Sequence, residues 1–185
     1  MSAETNPPET PAAEQIPGFV CPVCGETHVL SIAYSVKMPL AVLKIPAEER
    51  DTRIVMTPDQ CVIDNREFYV RGRFLIPVQE IEEPFAWSLW AEISPKNFLR
   101  TNELWETPGR ENEPVFTGYI NNELPLYGEM RNLVIDVQTM PVGRLPHFLV
   151  RDAEHPLAQQ QRNGITLAEV EAIAIKMHHP ETVTE

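Results

Sequence analysis

Alternation dominates the middle of the chain. Over residues 84–93, Phe85, Trp87, Leu89, Ala91 and Ile93 fall on one face of an extended segment, with Ser88, Trp90 and Glu92 on the other. That period of two is the signature of a strand packed against a core. Two apolar runs precede it, 60–64 and 67–71, separated by Asn65 and Arg66, and together they predict a β-hairpin. Gly72 is expected to bend or end the second strand, and 73–78 to form a third, with Pro77 marking an edge or an end. Residues 29–36, 115–120, 133–139 and 146–151 read as further strands. Residues 39–45 are apolar without a clear period.

The helical signals are local and chemical. Ser94 followed by Pro95 places a capping hydroxyl before a proline at the first helical position, and the helix is expected to reach about residue 106, bringing Phe98, Leu99, Asn102 and Trp105 near one another. Residues 46–50 read as a short helix opened by Pro46. His155-Pro156 starts another short helix, closed by Asn163-Gly164. Thr166 and Glu169 form a capping box, with Ile165 and Val170 as its hydrophobic staple. Leu167, Val170, Ile173, Ala174 and Met177 then make one apolar stripe. His178-His179-Pro180 closes that helix, where a cationic imidazole suits the dipole. The 18 prolines, spread widely, favour many short elements.

Composition narrows the class. At 185 residues the chain is long enough for one domain with a core of its own. Residues 1–16 carry three prolines and, after Met1, a single large apolar side chain, Ile16, and are expected to be a disordered tail. The domain is expected to span 17–179, with a short C-terminal tail over 180–185. Acids outnumber bases 27 to 15, a net charge of −12. That balance argues against nucleic acid, whose binding needs clustered Lys and Arg, and fits solubility or a basic partner. No apolar run is long enough to cross a membrane, and the acidic N-terminus has no signal-peptide core, so the expected compartment is the cytoplasm.

The most specific local chemistry is Cys21-Pro-Val-Cys24-Gly, with His28 four residues on. A Cys-x-x-Cys turn lets two sulfurs converge on one tetrahedral ion. The chain has three cysteines, and the third, Cys61 in the hairpin strand, completes a Cys₃His set of Cys21, Cys24, His28 and Cys61. The same residues have plainer readings: Cys61 as a small core hydrophobe, His28 as a loop histidine, and the motif as a lapsed metal site. A thioredoxin-like redox pair is a further alternative, although such a motif opens a helix and this one leads into a strand. No phosphate-binding glycine loop, nucleophile elbow or His-Glu-x-x-His helix is present. His155 sits in a polar turn with Asp152 and Glu154. Glu80, Glu82 and Glu83 form an acidic loop, solvated or docking a basic partner. Trp90 stands opposite the apolar face of its strand, covered by a helix such as that of Trp105 or lining a partner groove with Tyr119 and Tyr127.

Four segments in order, CPVCGETH, DQCVIDNREFYVRGRFLIPV, WSLWAEIS and HPLAQQQRNGITL, resemble a bacterial family, domain of unknown function 2199. The resemblance spans roughly residues 19–175, with no clear match between Lys37 and Met56. It implies the ligand set Cys21, Cys24, His28 and Cys61 and a bacterial cytoplasmic protein, and it implies no activity. The expectation is therefore an α+β fold: a curved antiparallel sheet with short helices on one face and an N-terminal zinc knuckle. The leading function is a non-enzymatic, zinc-stabilised binding module, inhibitor- or immunity-like towards a basic protein partner, with Trp90, Tyr119 and Tyr127 facing that partner. The alternative is a metal-dependent, hydrolase-like enzyme with an open zinc position.

Overall fold

A computed structural model describes residues 18–180. The tail expected over 1–16, and all but the first residue of the one expected over 180–185, lie outside the described residues. In chain order the elements are β1 (Gly18–Val20), β2 (Thr27–Val29), β3 (Ala33–Ser35), α1 (Leu40–Leu43), α2 (Arg50–Arg53), β4 (Ile54–Met56), β5 (Gln60–Ile63), β6 (Glu67–Ile76) and β7 (Phe85–Ile93). Then follow α3 (Pro95–Glu103), β8 (Phe116–Ile120), β9 (Val134–Gln138), β10 (His147–Val150), α4 (Pro156–Asn163) and α5 (Leu167–His178).

The spine is the long β6–β7 hairpin, paired without a break from Phe68↔Ile93 to Ile76↔Phe85. From β7 the sheet runs antiparallel through β8 and β9 to β10. β10 then meets β6 in parallel at His147↔Arg73, where the Arg73 N–H donates to the Pro146 carbonyl at 2.8 Å. Five strands, β6 to β10, thereby close into a barrel. β3 adds to β7 in parallel, and β5 and β4 extend outward from β6. The mixed α+β class stands; the expected curved antiparallel sheet is a barrel closed by one parallel joint, with a second parallel pair where β3 adds to it. Closure leaves the barrel strands without free edges, which a sheet curling around large side chains achieves more readily than a flat one.

The face read from alternation is the barrel interior. Phe85, Trp87, Leu89, Ala91 and Ile93 are buried with Phe74, Ile76, Ile120, Ile135, Val137 and Phe148. Leu157 of α4 and Val170, Ile173 and Ala174 of α5 join the same core. Gly72 neither bends nor ends β6. It lies mid-strand because a Cβ there would run into the ring of Phe148. The β5–β6 turn takes three residues: Asp64 and Asn65 both adopt positive φ, 51° and 53°, which Asp and Asn tolerate through local hydrogen bonding, and the Arg66 N–H donates to the Ile63 carbonyl. The single strand expected over 29–36 is split, because β2 pairs with β1 while β3 joins β7.

Helix ends follow their caps. Ser94 Oγ accepts from the Asn97 N–H, and the Thr166–Glu169 capping box is complete. α3 stops at Glu103, short of Trp105. Beyond it the buried Arg110 guanidinium lies 5.3 Å from the Trp105 ring and donates to the carbonyls of Trp105, Met140, Pro141 and Arg144. One planar fork thus ties the loop after α3 to the loop before β10, a task that a lysine, with no planar fork, does not perform.

A candidate metal centre at the junction of the N-terminal hairpin and the last helix

The small β1–β2 hairpin is a frame for the Cys-x-x-Cys turn. Its register, Gly18↔Val29, Phe19↔His28 and Val20↔Thr27, leaves residues 21–26 to return the chain. The Cys21 N–H donates to the Glu26 carbonyl and the Gly25 N–H to the Cys21 carbonyl, both at 2.8 Å. Gly25 sits at φ +75°, a left-handed conformation that glycine adopts at no steric cost. His28 projects from β2 opposite Phe19, the rings 5.8 Å apart.

The last helix supplies the remaining wall. Val170, Ile173 and Ala174 anchor α5 on the barrel core, and its C-terminal end comes to rest against the hairpin. The His178 ring stacks on His28 at 4.5 Å and 19°. His179, the C-cap residue, places its Nε2 3.3 Å from Cys21 Sγ. On the other side, His28 Nε2 lies 3.2 Å from Cys24 Sγ. The donor atoms of Cys21, Cys24, His28 and His179 all lie within 4.8 Å of one another. Zinc bonds of about 2.3 Å to sulfur and about 2.0 Å to nitrogen set a sulfur–nitrogen separation of roughly 3.5 Å in a tetrahedron, so the two thiol–imidazole contacts are a few tenths of an ångström shorter than one ion would set. Cys21 is buried and Cys24 exposed. Burial pushes the Cys21 thiol up, but backbone N–H groups of Cys24 and Val23, helped by the Cys24 and His179 side chains, outweigh it and hold the thiol below its usual range. Amides aimed at sulfur favour the thiolate, the form that binds metal.

The model of a family described as an uncharacterized protein conserved in bacteria, DUF2199, matches residues 20–165. The chain belongs to this family. No curated protein and no solved structure matches it. In this DUF2199 chain three members of the cluster fall inside the matched segment, and the fourth, His179, falls after it.

The expected fourth ligand is corrected by the fold. Cys61 lies in β5, opposite Tyr69 of β6 and Met56 of β4. It is fully buried in a second, smaller core with Val42, Ile45, Ile63, Tyr69 and Trp90. Burial, with the nearby charge of Glu67, pushes its thiol up to about 11, so it stays protonated and apolar in character. His179 stands where Cys61 was expected. The sequence did carry a signal, two consecutive histidines closing the last amphipathic helix, but the dipole reading accounted for them and nothing local pointed to a partner 158 positions away. His155 is not part of the cluster: its Nδ1 caps α4, accepting from the Leu157 N–H.

The aromatic trio also separates. Trp90 is buried, its indole N–H donating to the Val36 carbonyl and its backbone N–H to Asn122 Oδ1. Its cover is the segment around α1, not the helix before Trp105. Tyr127 is buried, its hydroxyl accepting from Trp87 Nε1 and donating to Gln160 Oε1. Tyr119 alone of the three is exposed, at 45%. Among the described residues, no helix is long and apolar enough to cross a membrane.

Proposed function

We propose that this chain is a non-enzymatic binding module whose N-terminal hairpin and last helix are clamped by one structural zinc ion. The observation that carries this reading is the convergence of four donors, Cys21, Cys24, His28 and His179, from two distant parts of the chain. Two thiolates and two imidazoles are the donor types that zinc takes in closed sites. Four protein donors fill a tetrahedral ion and leave no position for a reactive water, which supports the structural reading over the hydrolase-like one. Reduced thiols suit a cytoplasmic setting. The net charge of −12 supports a basic protein as partner, and Tyr119 is the exposed aromatic available to it.

Metal analysis of the purified full chain tests the clamp. About one zinc per chain is expected, falling to near zero in Cys24→Ser and strongly reduced in His179→Ala. Absence of metal together with freely reactive Cys21 and Cys24 thiols overturns it. For the partner, binding to basic proteins that weakens as salt rises is expected; binding indifferent to salt, or none, removes the acidic-surface reading.

A further inference from the structure

The barrel seam carries a second constellation, on the outer face and away from the thiols. Cross-strand register sets three side chains in a row: Ser88 of β7 opposite Arg73 of β6, and Arg73 opposite His147 of β10. Paired residues in a sheet project to the same side. The loop before β10 brings Arg144 over this row, its backbone fixed because its carbonyl accepts from the buried Arg110 at 2.9 Å and its N–H donates to Pro141. Arg73, Ser88, Arg144 and His147 line a pocket of about 490 Å³, within the size range of small-molecule sites.

The charges in this pocket are unspent. In a chain where acids far outnumber bases, Arg53, Arg71, Arg100 and Arg151 all hold carboxylates. Among the described residues the guanidinium groups of Arg73 and Arg144 hold none, as is also true of Arg50, Arg66, Arg110, Arg131 and Arg162; what sets Arg73 and Arg144 apart is that they line one pocket together. Glu83 lines the same pocket and forms no ion pair with either. His147 feels both arginines: burial first, then the charges of Arg73 and Arg144, push its imidazole below the usual range. Two guanidinium groups beside a hydroxyl and an imidazole are the donor types that an oxyanion takes, guanidinium binding it through parallel N–H donors.

We propose that this pocket binds the phosphoryl group of a small phosphate ester, with Arg73 and Arg144 as the charged donors and Ser88 and His147 completing the cradle. A phosphoryl group carries close to two negative charges at neutral pH, which two arginines balance. The limited size of the pocket and the acidic balance of the chain favour a small ligand over a polyanion. The ligand would bridge β6, β10 and the loop between β9 and β10, and so fasten the barrel where a single parallel pair closes it. The inference does not depend on the metal clamp.

Titration of the full chain with inorganic phosphate and with phenyl phosphate, at constant ionic strength and followed by NMR of the His147 ring, tests it. A saturable shift in the millimolar range is expected, with the His147 pKa rising as phosphate binds. Phenyl phosphate should bind at least as well as phosphate, and succinate more weakly than both. Arg144→Gln, on an exposed loop, should keep the fold and weaken phosphate by roughly tenfold, and Arg73→Gln with Arg144→Gln should abolish binding. A response no greater than that to sodium chloride, or one unchanged in the Arg144→Gln protein, overturns the proposal. Succinate binding more tightly than phosphate overturns the phosphoryl assignment in favour of a carboxylate.

Discussion

At the residue scale, the two buried cysteines show how environment divides one chemistry into two roles. Cys21 is wrapped by backbone N–H groups that favour its thiolate, while Cys61 is enclosed by Val42, Ile45, Tyr69 and Trp90 and stays neutral. Cys61→Ser should therefore leave metal content unchanged while costing about 1–3 kcal/mol of stability, the penalty of a buried hydroxyl that finds no partner. Metal analysis and urea unfolding of the same sample separate the two effects; loss of metal would return Cys61 to the ligand set. The turn, the motif and His28 were legible because a Cys-x-x-Cys turn is built within a few residues. His179 was not, because it approaches Cys21 only once α5 has docked. Trp90 misled for a related reason: the strand's outer face reads as solvent-facing until the segment around α1 folds over it.

At the element scale, the long periodic segments were read well and the short ones poorly. β7 declared itself through five alternating apolar residues, and α3 and α5 through their caps. Between β2 and β4 the elements are only three or four residues long, too short for a period to appear, and their conformation is decided by which sheet or core they join. If the cluster holds the proposed ion, the same distinction should govern how the parts respond to its removal. Among the described residues the β1–β2 hairpin pairs with no other strand, and a lone two-stranded hairpin is marginal in water. α5 has its own grip on the core through Val170, Ile173 and Ala174. Chelation should consequently raise amide hydrogen exchange in residues 18–29 and in the last turn of α5, and leave the barrel strands protected. Exchange rising uniformly across β6 to β10 would mean that the metal holds the whole fold rather than this corner.

At the scale of the whole molecule, stability should fall as the medium is acidified, in two stages. His147 and His155 have imidazoles pushed below their usual range, chiefly by burial. Their contribution is present above the ordinary histidine pKa and is lost as pH falls through the lower folded values. Asp64 and Glu113, held low by hydrogen bonds from Arg53 and Arg100, contribute above the ordinary carboxylate range and lose that contribution on further acidification. Each pair has at least one exposed partner, so high salt should shrink the second stage. Glu92 works the other way. Burial and the neighbouring Glu67 raise its pKa, so its charge opposes folding at neutral pH and the opposition fades on acidification. Urea midpoints measured from pH 8 to pH 4 should fall overall, and Glu92→Gln should raise the midpoint at pH 7. A midpoint that climbs on acidification would refute this balance. None of these partners was foreseeable from order along the chain: Asp64 takes Arg53, 11 positions before it, while Arg71 pairs with Asp59.

Cys21 and His179 stand 158 positions apart in sequence and 3.3 Å apart in space. Followed as a path, the described polypeptide is therefore nearly a ring, with its opening at the thiol–imidazole contact. A ring does not remember where it was cut. Joining residue 180 to residue 18 through a short linker and opening the chain between the exposed Glu82 and Glu83 would list the same elements in a new order, yet ask no strand to change its neighbours. Such a permuted chain should build the same barrel. Its β1–β2 hairpin and α5 would then be consecutive elements, and the long-distance encounter between them would become a local one.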